Sequence, residues 1–378
     1  MKAPLYKDAD PPVRLDERLR REAHRGLYFD RFFAGYSEGF GPIDGDGEKA
    51  KWCHRFAGPA GSEEMIEQFA VRQRQLVSAL NGRSQVFRND WRMAIGTGNA
   101  HPLENGFSFH PVLGVPYVCG AAVKGLLRAW MEQWSDAPDK EDTIRRWFGN
   151  PPPGANTGNE QYAGELIFFD AVPTDRISMV VDVMTPHMGK WYEKGAENPT
   201  LKDNMPGDWH NPVPISWMVC SGASLLFSVA ARSERCQQEL EQVMEELVQA
   251  LDWLGCGAKT AIGYGHFVPD DSGGQNLDRL EKKAEEEQLS EEENKVRAFE
   301  RAVTDMPADP PRALLSELQN QAAEFIKAAE DEGELFSALD SAQRKRVADH
   351  LTAFYKKTSW GNNTKRSQRK AAVEKYQG

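Results

Sequence analysis

The sequence predicts an α+β protein that ends in an all-helical region. Up to about residue 270, short apolar runs bounded by glycine and proline alternate with amphipathic helical patterns, which indicates a mixture of strands and helices. Beyond that point the sequence is charged, has helical spacing and shows almost no strand signal. We therefore expect a charged N-terminal arm (1–25), a mixed core (26–270) and a helical C-terminal extension (271–378) with a basic tail.

Composition excludes several classes of protein. No apolar run among the 378 residues approaches the roughly 20 that a membrane span requires, and the charged N-terminus does not resemble a secretory signal. The five cysteines are scattered without a Cys-x-x-Cys pair, which predicts reduced thiols in a cytoplasmic protein. The net charge of -11 argues against a simple nucleic-acid binder, so a polyanionic partner would need a locally positive groove.

The stretch Pro111–Trp130 combines a short apolar run, a tight turn at Gly120 and an amphipathic helix. Lys124 and Arg128 are four residues apart, which puts both cations on one helix face. A bare backbone beside two cations is a favourable place for a phosphate, whereas an ordinary surface helix explains the same pattern. The stripe expected to be buried consists of Val123, Leu126, Leu127, Trp130 and Met131.

The remaining core elements follow from apolar spacing. Helices are expected where apolar residues recur at three- and four-residue steps, and strands where β-branched or aromatic runs end at glycine or proline. Asp170 follows such a run, and a capping or turn role is expected for it. The predicted helices are 63–80 and 236–254, and the predicted strands are 91–98, 164–173, 179–184 and 223–230.

The glycine-rich stretch Gly255–Gly265 is the most distinctive local motif. Glycines allow positive φ angles and close backbone approach, so successive N–H groups can face an anion while Lys259 adds charge. The motif differs from a P-loop because a helix enters it and a strand leaves it. A glycine-capped helix-to-strand connection is the alternative.

The segment Thr185–Pro214 is long, rich in Pro, Gly and Asn, and interleaves aromatic side chains with cations. Such a pattern is typical of surfaces that stack single-stranded nucleic acid, but a small hydrophobic core beneath a loop would also produce it. His187 and His210 are interpreted as loop or base-stacking residues. Metal-ligand patterns are weak, because neither Cys53-His54 nor the pair His101 and His110 has a usual ligand spacing.

Three segments, in this order, resemble the RAMP superfamily of CRISPR-associated proteins. They are the aromatic start Gly26–Phe33, the strand–helix element Leu113–Arg128 and the closing glycine-rich loop Gly255–Gly265. Gly164–Asp170 together with Asp182–His187 resembles the RAMP subunit that caps the backbone filament of the type III-B (Cmr) effector complex.

This resemblance implies a ferredoxin- or RRM-like core with long insertions. It also implies a non-catalytic subunit, without cofactor or metal, that assembles with sister RAMP subunits. Such a subunit contacts the guide RNA near its 3′ end, or the guide–target duplex, through the backbone while base pairing recognises sequence. The residues expected to contact RNA are Lys124, Arg128, Gly257, Lys259, Gly263, Gly265, His187, Lys190 and Trp191, with Lys124 and Lys259 on one face of the core.

Two other functions are compatible with the same residues. Some RAMP proteins cleave RNA, so an endoribonuclease acting on guide or target RNA through His187 or an aspartate of the long segment is the second hypothesis. A nucleotide binder that uses the glycine-rich loop is the third.

The C-terminal extension is a departure from the family pattern. Helices are expected at 277–303, 313–330 and 335–356, followed by a tail in which lysine and arginine greatly outnumber acids. A protein-docking module, a second RNA contact and a solvated helical extension all explain these features.

Overall fold

The computed structural model describes residues 24–31, 33, 46–103, 105–150, 162–195, 197–288, 291–359 and 363–377. Most of the predicted N-terminal arm therefore lies outside the described residues. The chain forms two compact units, residues 1–280 and 281–378.

Nine strands of the first unit form two antiparallel sheets. The first sheet has the order β1-β6-β7-β3, and the second has the order β4-β8-β2-β9 with β5 also pairing with β8. All eight residues of β8 are buried, which explains its almost unbroken apolar sequence. The strands are β1 (Gly58–Ala60), β2 (Arg83–Asn89), β3 (Arg92–Met93), β4 (Leu166–Phe168), β5 (Val172–Pro173), β6 (Ile177–Met184), β7 (Ile215–Ser221), β8 (Ser224–Ala231) and β9 (Phe267–Pro269).

Two very short bends carry the chain from one sheet to the other. Only two residues separate β2 from β3, and two separate β7 from β8, where Gly222 takes a φ of 64°. The bend between β2 and β3 carries Trp91, which is 46% exposed. The expected strand at 164–173 is instead two short strands, because β4 and β5 pair with different parts of β8 and Asp170 lies between them.

The helices of the first unit cover these sheets. In α4 the residues Val123, Leu127, Trp130 and Met131 are buried and Leu126 is half-buried, so the predicted apolar stripe is confirmed. The helices are α1 (Arg25–Arg31), α2 (Asp46–Phe56), α3 (Glu63–Ala79), α4 (Gly120–Gln133), α5 (Lys140–Phe148), α6 (Gly189–Lys194), α7 (Glu234–Gln238) and α8 (Leu240–Trp253).

The aromatic start of the core packs as expected. Phe29 of α1 lies 5.5 Å from the ring of Trp52 and 5.2 Å from that of Phe56, both on α2. His101 stacks on Phe29 at 4.1 Å, and its Nε2 donates a hydrogen bond to the Phe29 carbonyl at 2.9 Å. Burial lowers the pKa of His101. This histidine is therefore part of the packing of the core.

The helical extension begins at α9, and the division between the two units falls within that helix. The helix expected at 313–330 is confirmed, but two helices occupy the range 335–356 where one was expected, because Asp340 caps a new helix together with Gln343. The basic tail is itself helical. The helices are α9 (Asp271–Gln288), α10 (Glu291–Thr304), α11 (Arg312–Asp331), α12 (Glu334–Ala338), α13 (Ser341–Lys357) and α14 (Asn363–Gln377).

A separate hydrophobic core supports the second unit. Val296 and Phe299 of α10, Phe325 of α11 and Leu351 and Phe354 of α13 are almost completely buried. No helix within the described ranges is long and apolar enough to cross a membrane. All five cysteines are free thiols, which confirms the prediction that they form no disulfide frame.

Candidate nucleic-acid interface

The glycine-rich loop between α8 and β9 is fixed to the edge of the first sheet by backbone hydrogen bonds. Gly265 N donates to Arg92 O and Ala258 N donates to Ala94 O, both at 2.7 Å. Cys256 N donates to Gly265 O, also at 2.7 Å, so the two ends of the loop are joined. The loop is therefore a rigid extension of the sheet beside β3.

All four glycines of this loop have positive φ angles: 70° at Gly255, 108° at Gly257, 96° at Gly263 and 71° at Gly265. A Cβ at Gly257 would overlap the Ala94 carbonyl oxygen, and one at Gly265 would overlap the Cys256 carbonyl oxygen. These two glycines thus admit the close approach of the protein's own backbone. Gly263 is exposed, and a Cβ there would meet only the Trp91 ring at 3.9 Å.

Lys259 is the exposed cation of the loop. It has a left-handed conformation with φ 60° and ψ 31°, which is uncommon for a residue with a side chain. Its Nζ lies 5.8 Å from the ring centroid of Trp217, a buried residue of β7 whose Nε1 has no hydrogen-bond partner among the described residues. The backbone conformation of Lys259 and its contact with the Trp217 ring together hold the ammonium group in place.

Aromatic rings connect the loop to the bend between β2 and β3. Tyr264 lies 4.9 Å from Trp91 and 5.5 Å from Trp217, measured between ring centroids. We refer to the exposed residues Trp91, Lys259 and Gly263, which these two inner rings support, as the Trp91–Lys259 surface. It combines an exposed aromatic face and a cation, which are the two components of single-strand binding sites.

A partly buried carboxylate holds this surface together. Asp182 of β6 forms an ion pair with Arg92 and accepts a hydrogen bond from the Tyr264 hydroxyl. Burial alone would raise the pKa of Asp182, but these bonds outweigh it and the pKa is lowered. The hydrogen bond to Asp182 raises the pKa of Arg92 despite partial burial. Asp182 is thus a charged structural anchor for the loop.

A second charged cluster lies on the other side of the loop. The imidazole of His266 contacts Asp90 through Nδ1 at 3.0 Å and Asp252 through Nε2 at 2.7 Å. Burial by itself would lower the pKa of His266, but the two carboxylates outweigh this effect. The pKa of His266 is therefore raised above its usual value. This cluster links the ends of β2 and α8 to the start of β9.

The N-terminus of α4 is already occupied by a carboxylate. Gly120 N donates to Asp170 Oδ1 at 2.7 Å, which confirms the capping role expected for Asp170. A Cβ at Gly120 would lie 2.5 Å from the Phe168 carbonyl oxygen, so glycine permits the close packing of α4 on β4. A phosphate at this backbone position would compete with Asp170, contrary to the expectation for Gly120.

The two cations of α4 differ in their surroundings. Arg128 Nε donates to Glu132 at 2.7 Å and Nη1 donates to Asn150 O at 3.1 Å, and its side chain is only 16% exposed. Lys124 is half-exposed, and its ammonium group has no hydrogen bond or ion pair with any residue that the structure describes. Lys124 is therefore available to a ligand, whereas Arg128 is engaged within the protein.

The start of α4 lies near the glycine-rich loop. The pKa of the Cys256 thiol is raised to about 12, mainly by burial and additionally by Cys119, the residue that precedes α4. These two motifs are distant in sequence but close enough in space for their thiols to interact electrostatically. That Lys124 and Lys259 face the same way remains a prediction.

The segment between β6 and β7 connects two strands that pair up to Met184 and Ile215. It was expected to be a long loop, but it contains α6 and a 3₁₀ turn (Lys202–Asn204). Local contacts stabilise it: His210 Nε2 donates to Met205 O at 2.9 Å, and Lys202 Nζ lies 5.8 Å from the Trp209 ring. The segment is therefore a folded projection at the end of a hairpin.

The projection carries the remaining residues expected to contact RNA. His187 is exposed at its base, and Lys190 and Trp191 lie on α6. Trp191 is half-buried, and its ring lies where a Cβ at Gly195 would be. The neighbouring Tyr192 is 72% exposed and offers a more accessible ring. The described residues contain no group of three or more His, Cys, Asp or Glu side chains suited to a metal ion.

Residues 92–268 match the RAMP superfamily. This range begins at β3 and ends within β9, so it contains the glycine-rich loop, the Asp182 anchor and α4. The chain is 25% identical over 261 residues to "CRISPR system Cmr subunit Cmr6" of Pyrococcus furiosus, covering 56% of this chain and 74% of that protein. It is 32% identical over 90 residues to "CRISPR system CMR subunit Cmr6" of Saccharolobus solfataricus, covering 23% of this chain and 27% of that one.

Solved structures with detectable similarity come from the same systems. One is a type III-B Cmr-beta complex bound to cognate target RNA, at 20% identity and a TM-score of 0.45, with 59% of this chain and 71% of that chain covered. Another is the crystal structure of Cmr6 from Pyrococcus furiosus, at 22% identity and a TM-score of 0.29, with 50% and 98% covered. The family match and the two curated relatives agree with the motifs that the sequence carries. Residues 92–268, just under half of the chain, thus carry a RAMP superfamily region, and the chain is similar to Cmr6 subunits of Cmr systems.

Proposed function

We propose that this protein is a non-catalytic RNA-binding and assembly subunit of a type III-B CRISPR ribonucleoprotein effector, acting in antiviral defence. It would contact the 3′ region of the guide RNA, or the guide–target duplex, together with neighbouring RAMP subunits. The observation that carries the proposal is the Trp91–Lys259 surface, in which an exposed ring on the bend between β2 and β3 lies beside the cation of the glycine-rich loop. The Cmr6 names of the relatives support the assignment to such an assembly.

We further propose a ferredoxin-like arrangement for the second sheet. Its order β4-β8-β2-β9 interleaves two β-α-β units, because α4 lies between β2 and β4 in the chain and α8 lies between β8 and β9. All four strands are antiparallel to their neighbours. The loop that follows α8 then lies beside the central strand β2, where it can present Lys259 to a ligand.

The proposed binding is electrostatic and largely independent of sequence. Lys124 and Lys259 would contact phosphates, and the exposed face of Trp91 would stack on a base or ribose. Gly263 would allow the RNA backbone to approach, since nothing but Trp91 lies near its α-carbon. Gly257 and Gly265 support this surface through contacts inside the protein, whereas Arg128 is engaged by Glu132 and Asn150. His187, Lys190 and Trp191 would contact the RNA from the projection at the end of the hairpin.

A non-catalytic role is supported by how the polar groups near the surface are used. Asp182 is bound to Arg92 and Tyr264, and His210 donates to a backbone carbonyl, so both groups stabilise the fold. Incubating the isolated protein and the assembled complex with labelled guide and target RNA, with and without Mg²⁺, tests this role. We expect intact RNA, and cleavage that disappears in a His187→Ala variant would instead establish an endoribonuclease.

The binding proposal is tested by salt dependence in a complex reconstituted with guide RNA. For Lys259→Ala and Lys124→Ala, affinity should fall uniformly across RNA sequences, and the logarithmic salt slope should fall by about 1 for each lost phosphate contact. Lys345→Ala, an exposed lysine of the second unit, is the matched control. Unchanged affinity and slope in both core variants, within a correctly assembled complex, would refute the assignment of these lysines.

A further inference from the structure

Positive charge is concentrated at the C-terminal end of an otherwise acidic chain. Residues 341–377 contain ten lysines and arginines but only two acidic residues, Asp349 and Glu374, although the whole chain has a net charge of -11. The two helices that carry this charge, α13 and α14, belong to the second unit. A local excess of this size on an acidic protein marks a surface that attracts polyanions.

An open cavity of about 460 Å³ lies at the end of α13, next to the start of α14 and the first turns of α11. Lys357 of α13 and Lys365 and Arg369 of α14 line it, together with Tyr355 and the polar backbone of Ser359. The cavity thus brings three cations together at one place on the second unit.

Two cations of this cavity, Arg369 and Lys357, are positioned by neutral groups. The guanidinium of Arg369 lies 4.4 Å from the centroid of the Tyr355 ring, and its Nη1 donates to Ser359 O at 3.2 Å. Lys357 Nζ donates to Val303 O at 3.1 Å. These bonds orient the cations without cancelling their charge.

Other cations of the same unit are paired with carboxylates. Arg346 Nη2 lies 2.6 Å from Glu300, and Lys375 Nζ lies 2.8 Å from Glu332. The unit therefore contains cations that stabilise its helices and a separate set that faces an open cavity. The second set is the one suited to an external anion.

We propose that this cavity binds the phosphodiester backbone of single-stranded RNA, as a second contact independent of the Trp91–Lys259 surface. A long ligand is favoured over a small phosphate compound because exposed cations continue beyond the cavity. Lys356 lies between the lining residues Tyr355 and Lys357 of α13, and Arg366 and Lys370 follow the lining residues Lys365 and Arg369 of α14. Ordered phosphates along a strand would match such a row of charges.

The test uses the full-length chain and a labelled, unstructured single-stranded RNA in an anisotropy titration at several salt concentrations. Lys357→Gln/Lys365→Gln removes two charges and keeps hydrogen-bond donors at both positions. Lys327→Gln/Lys345→Gln removes two exposed charges of the same unit outside the cavity and is the control. The cavity variant should reduce the salt slope by about 1.4, since each single-strand phosphate contact contributes about 0.7.

Circular dichroism establishes that the variants remain folded, and the single variant Lys365→Gln replaces the double variant if the latter unfolds. Equal slopes for the cavity and control variants would overturn the inference. ATP or polyglutamate that competes as well as RNA, and loses the same affinity in the cavity variant, would also overturn it. If RNA binding weakens only in Lys259→Ala, the cavity site is refuted and the proposed function stands. If it weakens only in the cavity variant, the cavity site stands and the proposed function is refuted.

Discussion

Replacing Gly265 with alanine should destabilise the first unit far more than the same change at Gly263. Both residues have positive φ angles, 71° and 96°, so alanine costs about 1–2 kcal/mol at either position because the left-handed conformation is unfavourable for a residue with a Cβ. Only at Gly265 would the new Cβ also overlap a backbone atom, the Cys256 carbonyl oxygen. Overpacking of this kind adds about 1–3 kcal/mol.

The expected free energies of unfolding therefore fall by roughly 2–5 kcal/mol for Gly265→Ala and roughly 1–2 kcal/mol for Gly263→Ala. Tryptophan fluorescence in a urea titration measures this, because nine of the ten tryptophans lie within residues 1–280. Gly257→Ala, where the overlap is with Ala94 O, should resemble Gly265→Ala. Equal losses at Gly263 and Gly265 would refute the claim that Gly265 is required by the closure of the loop.

Three further outcomes follow from the contacts described above. Arg128→Ala should leave the salt slope of RNA binding unchanged, in contrast to Lys124→Ala, because its guanidinium is already engaged within the protein; an equal drop for both would contradict this. Because the pKa of His266 is raised in the folded protein, its protonation stabilises the fold. This contribution is fully present below the unfolded-state pKa of about 6.5 and is lost as the pH rises through the folded-state pKa. Urea midpoints at a series of pH values should therefore decline across this window, and the decline should be smaller in Asp252→Asn. Asp340→Ala should cost about 1 kcal/mol in the unfolding of the second unit, followed by circular dichroism, because it removes the cap of α13; no loss would show that the cap is dispensable.

Local spacing predicted the helices well because it reports which residues are buried together. The stripe of α4 and the start of α3 at Glu63 both follow from apolar residues at three- and four-residue steps. Asp170 was expected to have a capping or turn role from its place at the end of a strand, although its partner Gly120 is 50 residues away. For the helices, the physical cause lies within a few residues of the chain.

The architecture of the site could not be predicted in the same way. Trp91 and Arg92 join the site only because β2 bends into β3, and Asp182 joins because β6 pairs with β7. The partners of Arg128 likewise include Asn150, 22 residues away. Such pairings depend on the packing of whole elements. The Trp-Arg dipeptide beside a glycine turn was the one available signal for the first two residues.

The central claim is that RNA lies against the Trp91–Lys259 surface. Ultraviolet cross-linking of guide RNA in the reconstituted complex, followed by mass spectrometry of nucleotide-bearing peptides, measures this contact. We expect a cross-linked peptide that contains Trp91, reduced when Lys259 is replaced by alanine. Cross-links confined to other parts of the first unit, with Trp91 unmodified and unaffected by the substitution, would contradict the proposed interface.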